Sequence, residues 1–398
     1  MARGAVGAAG ETPIDRAGMT TIAVDSVDAL RDRVRDASDR RAALRVIGGG
    51  AWLDAGRPVV ATESLSTREL TGITEYVPGD LTLTARAGTT LEEIRLATAP
   101  HGQWFALDPH GSDTGTLGAT IATASAGPLS TAFGGPRDLM LGVEFVTGEG
   151  TVVRGGGRVV KNVAGFDLTR LVTGSWGSLG VITEATVRLH ARPDADESIA
   201  VHLSTDADVA RIRELLRRLP FTPYAFEIVN ADLARRLVAV DGVAAIIRLG
   251  GNRLAVDAQR AAFATLGRLN EINTDVWQRL RASDGVGSMV FRLSTRPSEI
   301  ARAWTAACDV ANECPGTMIA ATPARGIVRC VVPAGATTVG ALQRLWSEST
   351  VTRVGERLAP ELWSVCSPAP TDDRISRGIK RTFDPHGVLN LGIFGERS

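Results

Sequence analysis

Cysteine and histidine are scarce in this sequence, with four of the first and five of the second among 398 residues. The cysteines, Cys308, Cys314, Cys330 and Cys366, form no CxxC pair, which argues against a zinc or iron–sulfur centre. They also make a weak disulfide framework for so long a chain, and a reducing cytoplasm is the simpler expectation. His101, His110, His190, His202 and His386 are scattered, with no two at the spacing of a metal pair, so no metal is expected. An excess of one charge is missing too, because 44 basic residues balance 44 acidic ones. Nucleic-acid binders and polybasic membrane dockers need such an excess, so neither is expected. No run approaches the roughly 18 to 20 apolar residues of a membrane span. Residues 1–18 are rich in Ala and Gly without the continuous apolar stretch of a signal peptide, and read as a flexible tail.

Glycine, by contrast, is plentiful, at 43 residues, and unevenly placed. Clusters fall at Gly48–Gly50, at Gly111 to Gly127, at Gly155–Gly157 and at Gly174 to Gly180, all before residue 190. Such clusters make tight turns or let backbone approach a ligand closely. Apolar periodicity predicts a helix around Val27–Val34 and strands at Leu44–Ile47, Leu81–Ala87 and Gly180–Leu189. It also predicts a helix over Thr90–Ala99 and a hairpin over Gly142–Val153. Beyond the acidic turn at Pro193–Glu197 the rhythm changes. Strands are expected at Ile199–Leu203, Ala225–Val229, Val243–Leu249 and Met289–Leu293, and a hairpin over Gly316–Val332. Helices are expected at Ala207–Leu219, Arg253–Leu269, Glu299–Val310 and Thr338–Trp346. This alternation suggests an α+β sheet with helices on one face.

Four segments could carry chemistry. In Arg45-Val-Ile-Gly-Gly-Gly-Ala-Trp52 a strand runs into three glycines whose N–H groups can converge on an anion. It is neither a Walker loop nor a GxGxxG opening a helix. Taken alone, a plain glycine turn between strands explains it as well. In Pro109-His-Gly-Ser-Asp-Thr-Gly-Thr-Leu-Gly-Ala-Thr120 small residues would let a flat ligand lie against the backbone. Gly134-Gly-Pro-Arg-Asp138 is the third. Val160-Lys-Asn-Val-Ala-Gly-Phe-Asp-Leu168, leading into Gly174–Thr183, is the fourth.

In order and spacing these segments resemble the flavoproteins of the vanillyl-alcohol oxidase and p-cresol methylhydroxylase superfamily. Within it, Lys161–Leu168 and the ending Lys380-Arg-Thr-Phe-Asp-Pro-His-Gly-Val-Leu-Asn390 resemble the E-subunit family of bacterial glycolate oxidases. The resemblance covers residues 40–190 and the C-terminal end; residues 200–365 match in pattern only. It implies an α+β fold: a vanillyl-alcohol oxidase-type FAD-binding domain at 19–192, an α+β cap at 198–368, and a C-terminal segment at 369–398 returning to the first domain. It further implies that Ile47, Gly48, Gly49, Gly50, Ala51 and Trp52 wrap the pyrophosphate. Pro109, Thr116, Gly118, Ala119, Ser125 and Gly127 would lie along the cofactor, as would Gly177, Gly180, Val181 and Ile182. Asn390 would sit near the flavin ring. Relatives with covalent FAD carry a His in the loop that here reads Gly48-Gly-Gly-Ala51-Trp52, so noncovalent FAD is expected.

The function so implied is that of an FAD-binding subunit in a complex oxidising glycolate or a related 2-hydroxy acid to the 2-oxo acid. Its partners would be a second flavin subunit and an iron–sulfur subunit, in the cytoplasm or held at the inner membrane through those partners. A stand-alone FAD oxidase or dehydrogenase and a non-catalytic assembly subunit remain the alternatives. The His-rich motif with which catalytic relatives orient the hydroxy acid is not found here, and no general base is assigned. Arg248, Arg292, Arg325 and Arg329, in or beside cap strands, could meet a substrate carboxylate but are read first as salt-bridged or solvated. Lys161 is read as fixing a loop, His386 as an exposed turn residue and His190 as structural. His110, beside Pro109, could touch FAD. Trp52, Trp104 and Trp176 either stack on the cofactor or fill the core.

Overall fold

The computed structural model describes residues 19–51, 53–112, 114–157, 166–203, 208–285, 287–348, 351–365 and 373–395. Trp52, Lys161 and Cys366, and the tail at 1–18, lie outside them. The fold is α+β.

The first half is built on two main sheets, beside a short antiparallel pair of Gln103–Trp104 with His190–Ala191. Three short parallel strands, in the order Thr21–Ala23, Glu63–Ser66 and Leu44–Ile47, form one of them. An antiparallel sheet runs Ile73–Val77, Thr82–Arg86, Val181–Arg188, Met140–Val146 and Val152–Gly156. The helix Val27–Arg40 starts where Ser26 accepts a hydrogen bond from the Ala29 N–H, and buries Leu30 and Val34 against the small sheet. Leu91–Thr98 opens with a capping box between Thr90 and Glu93. The expected Gly142–Val153 hairpin is present as Met140–Val146 with Val152–Gly156.

The chain's end closes this half. Leu44 donates its N–H to Val388 O at 2.7 Å and accepts from Asn390 N at 3.0 Å, so residues 388–390 extend the small sheet as a parallel bridge. The bend before it is held by Asp384, which is buried and accepts from the N–H groups of Val388 and Leu389, each at 2.9 Å. Lys380 reaches the same carboxylate at 2.7 Å and also donates to Ser178 O and Leu389 O.

The second half is one eight-stranded antiparallel sheet. Its order is Leu269–Ile272, Ala195–Leu203, Val243–Gly251, Ala225–Val229, Met318–Thr322, Ile327–Val332, Met289–Ser294 and Thr352–Arg357. Strand side chains alternate between faces. Phe226, Ile228, Ile247, Phe291, Leu293, Val328 and Cys330 therefore point one way, into a core completed by Asp208–Arg218, Arg253–Phe263, Ile300–Glu313 and Ala336–Glu348. Contrary to the expectation of helices on one face, Ala231–Val238 and Val276–Arg281 pack on the other, against Ala225, Val229, Ala244 and Ile246. Two further corrections concern boundaries. The helix expected over Arg253–Leu269 stops at Phe263, because Gly267, at φ 145°, turns the chain into the edge strand Leu269–Ile272. The acidic stretch Pro193–Glu197 is partly strand, since Ala195–Leu203 begins inside it. Asp196 and Glu197 are held there by Arg248, Arg253 and Arg260 rather than solvated in a turn.

Candidate functional site

A cleft with about 1050 Å³ of empty space runs along the edge of the small sheet. Arg45 to Ala51 line one side, Pro109, His110 and the segment from Ser112 to Thr123 another, and Trp176 to Ile182 a third; Asn390 stands at the end of the small sheet. Of the residues expected to hold the cofactor, Ile47, Gly48, Gly49, Gly50, Ala51, Pro109, Thr116, Gly118, Ala119, Gly177, Gly180, Val181, Ile182 and Asn390 all border this one space. Trp52 lies outside the described residues. Ser125 and Gly127 are placed elsewhere. Ser125 donates its N–H to Thr120 O at the end of the helix Leu117–Thr123, and Gly127 packs on Asp108, whose carbonyl leaves no room for a Cβ. Gly127 lines a second cavity instead. His110 borders both. Val46, Leu53 and Ile393, with Thr67, also line the first and were not assigned to the site from sequence.

The chemistry of the cleft comes from its backbone. Among the described residues, the N–H groups of Gly48, Gly49 and Gly50 donate to no protein group, although the strand before them is fully paired. Gly50, at φ 80°, turns the last of them in a conformation that suits glycine. A run of free N–H donors at the end of a strand is a ready anion site. Walls meet closely behind it: a Cβ on Gly48 would come within 2.6 Å of Thr116 Oγ1 and 3.0 Å of Ala119 Cβ. Small side chains therefore bring two backbones together, and a flat ligand can lie along them. Asn390 ties the parts: its Oδ1 accepts from Val46 N at 2.8 Å, and its Nδ2 donates to Trp176 O at 2.6 Å. Asn is also suited to the left-handed φ of 44° found there. Asn390→Ala should remove the acceptor of the part-buried Val46 N–H and one donor to Trp176 O, costing about 1–3 kcal/mol. Fluorescence titration is expected to show FAD affinity at least ~10-fold weaker; unchanged affinity would mean that the tie plays no part in holding it.

Trp176 lines the cleft, whereas Trp104 is buried outside it in an aromatic cluster with Phe133 and Tyr224. His190 joins that cluster, edge-on to Phe133, and His386 is exposed, sharing a hydrogen bond with Ser38. Where the two halves meet, titratable groups are strongly perturbed. Burial holds His110 well below its ordinary value, aided by Arg329, Arg281 and Arg292 against the pull of Asp284, so its ring is neutral near pH 7. Burial pushes Asp108 up to about 7, against Arg281 and Arg248. It pushes Glu227 up to about 8, where a hydrogen bond from Thr322 only partly offsets it. Glu227 and Asp108 carried no signal in the sequence, since each is one acid in an otherwise apolar segment.

Comparison with known proteins shows the family to which the chain belongs. Residues 20–156 match the family model described as "FAD binding domain". The glycolate oxidase subunit GlcE of Escherichia coli (strain K12) is 34% identical over 259 residues, which is 65% of this chain and 69% of that protein. This chain belongs to the FAD-binding flavoprotein family of GlcE. It is an FAD-dependent oxidoreductase. The glycolate oxidase subunit GlcD of Bacillus subtilis is 32% identical over 49% of this chain, and the D-lactate dehydrogenase of Archaeoglobus fulgidus 33% over 46%. These matches span only 42% and 41% of those two proteins. In fold the chain is similar to p-cresol methylhydroxylase (TM-score 0.72, 16% identity) and to 4-ethylphenol oxidase from Gulosibacter chungangensis (0.74, 16%). Each alignment covers 94% of this chain and 88% of the other. The fold is thus of the p-cresol methylhydroxylase type, with the eight-stranded sheet as its cap.

Proposed function

We propose that this chain is the FAD-binding subunit of a complex that oxidises glycolate or a related 2-hydroxy acid to the 2-oxo acid. The reading is carried by the unpaired N–H groups of Gly48–Gly50 in a chain that shares 34% identity with a glycolate oxidase subunit. The domains we assign are residues 19–192 for FAD, 198–368 for the cap, and 369–398 for the returning segment.

FAD, when bound, supplies the acceptor for a hydride equivalent from the carbon that bears the hydroxyl. Gly48, Gly49 and Gly50 would hold its pyrophosphate by N–H donation, as converging backbone donors hold anions. Thr116, Gly118 and Ala119 would form the wall it lies on, with Gly177 to Ile182 opposite and Asn390 fixing the end of the sheet. The loop that carries a His in relatives with covalent FAD reads Gly48-Gly-Gly-Ala51-Trp52 here, which supports noncovalent attachment. Gly56 N donates to Glu356 O and Arg357 pairs with Asp54 at 3.0 Å, so the cap grips the chain just after the glycine loop and helps to exclude water. Electrons would leave for a second flavin subunit and an iron–sulfur subunit. Among the described residues no helix is long and apolar enough to cross a membrane, and a cytoplasmic complex, held at the inner membrane through partners, is the setting we propose.

The test is the visible spectrum of the purified chain. Acid precipitation should leave the flavin in the supernatant; flavin retained in the pellet would refute noncovalent binding. Anaerobic glycolate or D-lactate should bleach the spectrum once the partner subunits are present. A spectrum that no 2-hydroxy acid bleaches, even in the assembled complex, would refute the substrate class.

A further inference from the structure

The second cavity, with about 1020 Å³ of empty space, lies between the cap sheet and the segment from Ala124 to Asp138. Strand alternation sends Glu227, Arg292 and Arg329 to its side of the sheet, because their neighbours Phe226, Ile228, Phe291, Leu293, Val328 and Cys330 fill the opposite core. It adjoins the cofactor cleft through His110.

Structure separates the four cap arginines, which sequence left equivalent. Arg248 is held in two bonds by Asp196, at 2.8 and 2.6 Å, and packs over the Trp104 ring outside the cavity. Arg329 is saturated, with Asp284 at 2.7 and 2.8 Å and Glu356 at 3.0 Å. Arg292 stands directly across the strands from Arg329, an unfavourable pairing of like charges. Its closest carboxylate, Glu356, is 3.6 Å away and already bonded to Arg329, while its buried Nε has no hydrogen-bond partner. Glu356 can serve both only because it is the extra residue of a bulge, where Gly355 pairs with Phe291 and Arg357 with Val290. Arg325, among the described residues, meets only the carbonyl of Ser130, at 2.9 Å, and no carboxylate. Arg137, across the cavity, among the described residues meets only the carbonyl of Thr173.

The acids do not cancel this charge. Glu356 is bonded to Arg329 at 3.0 Å and lies 3.6 Å from Arg292, so one carboxylate faces two guanidinium groups, and Asp138 accepts from the Gly135 N–H. Glu227, pushed up to about 8, keeps its proton near neutral pH, and His110 is neutral as well. The cavity thus offers unmatched guanidinium groups beside two neutral hydrogen-bonding groups. A small carboxylate with an adjacent oxygen would satisfy both sets.

We propose that this cavity binds a 2-hydroxy or 2-oxo carboxylate, held by Arg292 and Arg325 with its second oxygen toward His110 and Glu227. This rests on the hydroxy-acid reading above and adds that the substrate anion is held by this chain itself, not only by a partner subunit.

The probe is oxalate, a two-carbon carboxylate that has no hydride to give up. Titration calorimetry on the FAD-loaded chain should show binding. Arg292→Met and Arg325→Met should each weaken it at least ~10-fold, as loss of a charge-assisted bond implies. Arg248→Met should change it by less than about twofold. Melting temperature and FAD content serve as folding controls. Arg325 is exposed, so its variant carries the test if Arg292→Met fails to fold. Unchanged oxalate affinity in the folded Arg325 variant would overturn the site, as would sulfate binding as tightly as oxalate. Flavin bleached by a 2-hydroxy acid in the complex, with oxalate affinity unmoved by Arg325→Met, would overturn the site and leave the function reading intact. Oxalate binding lost in both variants, with no 2-hydroxy acid ever bleaching the flavin, would keep the anion site and remove the function reading.

Discussion

Asp384→Ala is expected to cost about 3–5 kcal/mol of folding stability, because it strips one partner from a buried ion pair. The Asp384 side chain has no exposure, and Lys380 is only 19% exposed at the other end of the pair. Asp384 also accepts from Val388 N and Leu389 N, so alanine would orphan two backbone donors along with the ammonium. Those donors shape the bend that delivers Asn390 to Val46, and the variant should therefore lose FAD as well as stability. Lys380→Met should be milder, since the carboxylate keeps its two backbone donors. Guanidinium denaturation of the flavin-free chain gives the number. A loss below about 1 kcal/mol would mean that the pair behaves like an exposed one.

The second large effect is in pH dependence. Glu227 has an ordinary value of 4.5, and burial carries it up to about 8. Between those limits the native state keeps a proton that the unfolded chain has released, so stability falls as pH rises. The slope is about 1.4 kcal/mol per pH unit, about 5 kcal/mol across the window, and the slope vanishes above it. Asp108 acts in the same sense up to about 7. His110, whose value is depressed, acts in the opposite sense, its contribution being lost as pH falls below 6.5. Comparison with Glu227→Gln cancels both. Chemical denaturation from pH 5 to 8 should show the wild type losing ground to the variant with each unit. Parallel profiles would place an ionised carboxylate at Glu227 throughout.

What the sequence disclosed depended on how local the cause was. Leu44–Ile47 and Ala225–Val229 are found as read, because short apolar runs bounded by polar or turn residues carry their own signal. The glycine loop at Gly48–Gly50, which the structure places in the cleft, was legible for the same reason, its glycines being contiguous. Val276–Arg281 and Thr352–Arg357 were missed, the first being under two turns long and the second carrying three charges in six residues. That strand belongs to the sheet because Glu356 and Arg357 find partners in Arg329, 27 residues away, and in Asp54, about 300 residues away. The cavity at the cap was illegible on the same principle. Nothing near Glu227 says that Thr322 will bond it or that Asp108 will lie close, and nothing near Arg325 says that no acid will reach it. Strand parity groups Arg248, Arg292 and Arg329 on one face; only tertiary contacts decide which of them are neutralised.

The bridge between Leu44 and residues 388–390 also sets an order of events during synthesis. The Leu44–Ile47 strand leaves the ribosome some 340 residues before the segment that completes its edge. At roughly 5–20 residues per second that interval is about 17–70 s. Throughout it the nascent chain shows an open parallel edge beside a glycine loop that Asn390 has not yet fastened, a surface prone to pairing with a neighbouring chain. Flavin capture on this account belongs to the finished polypeptide, and ribosomes stalled within the cap should carry chains that do not retain FAD.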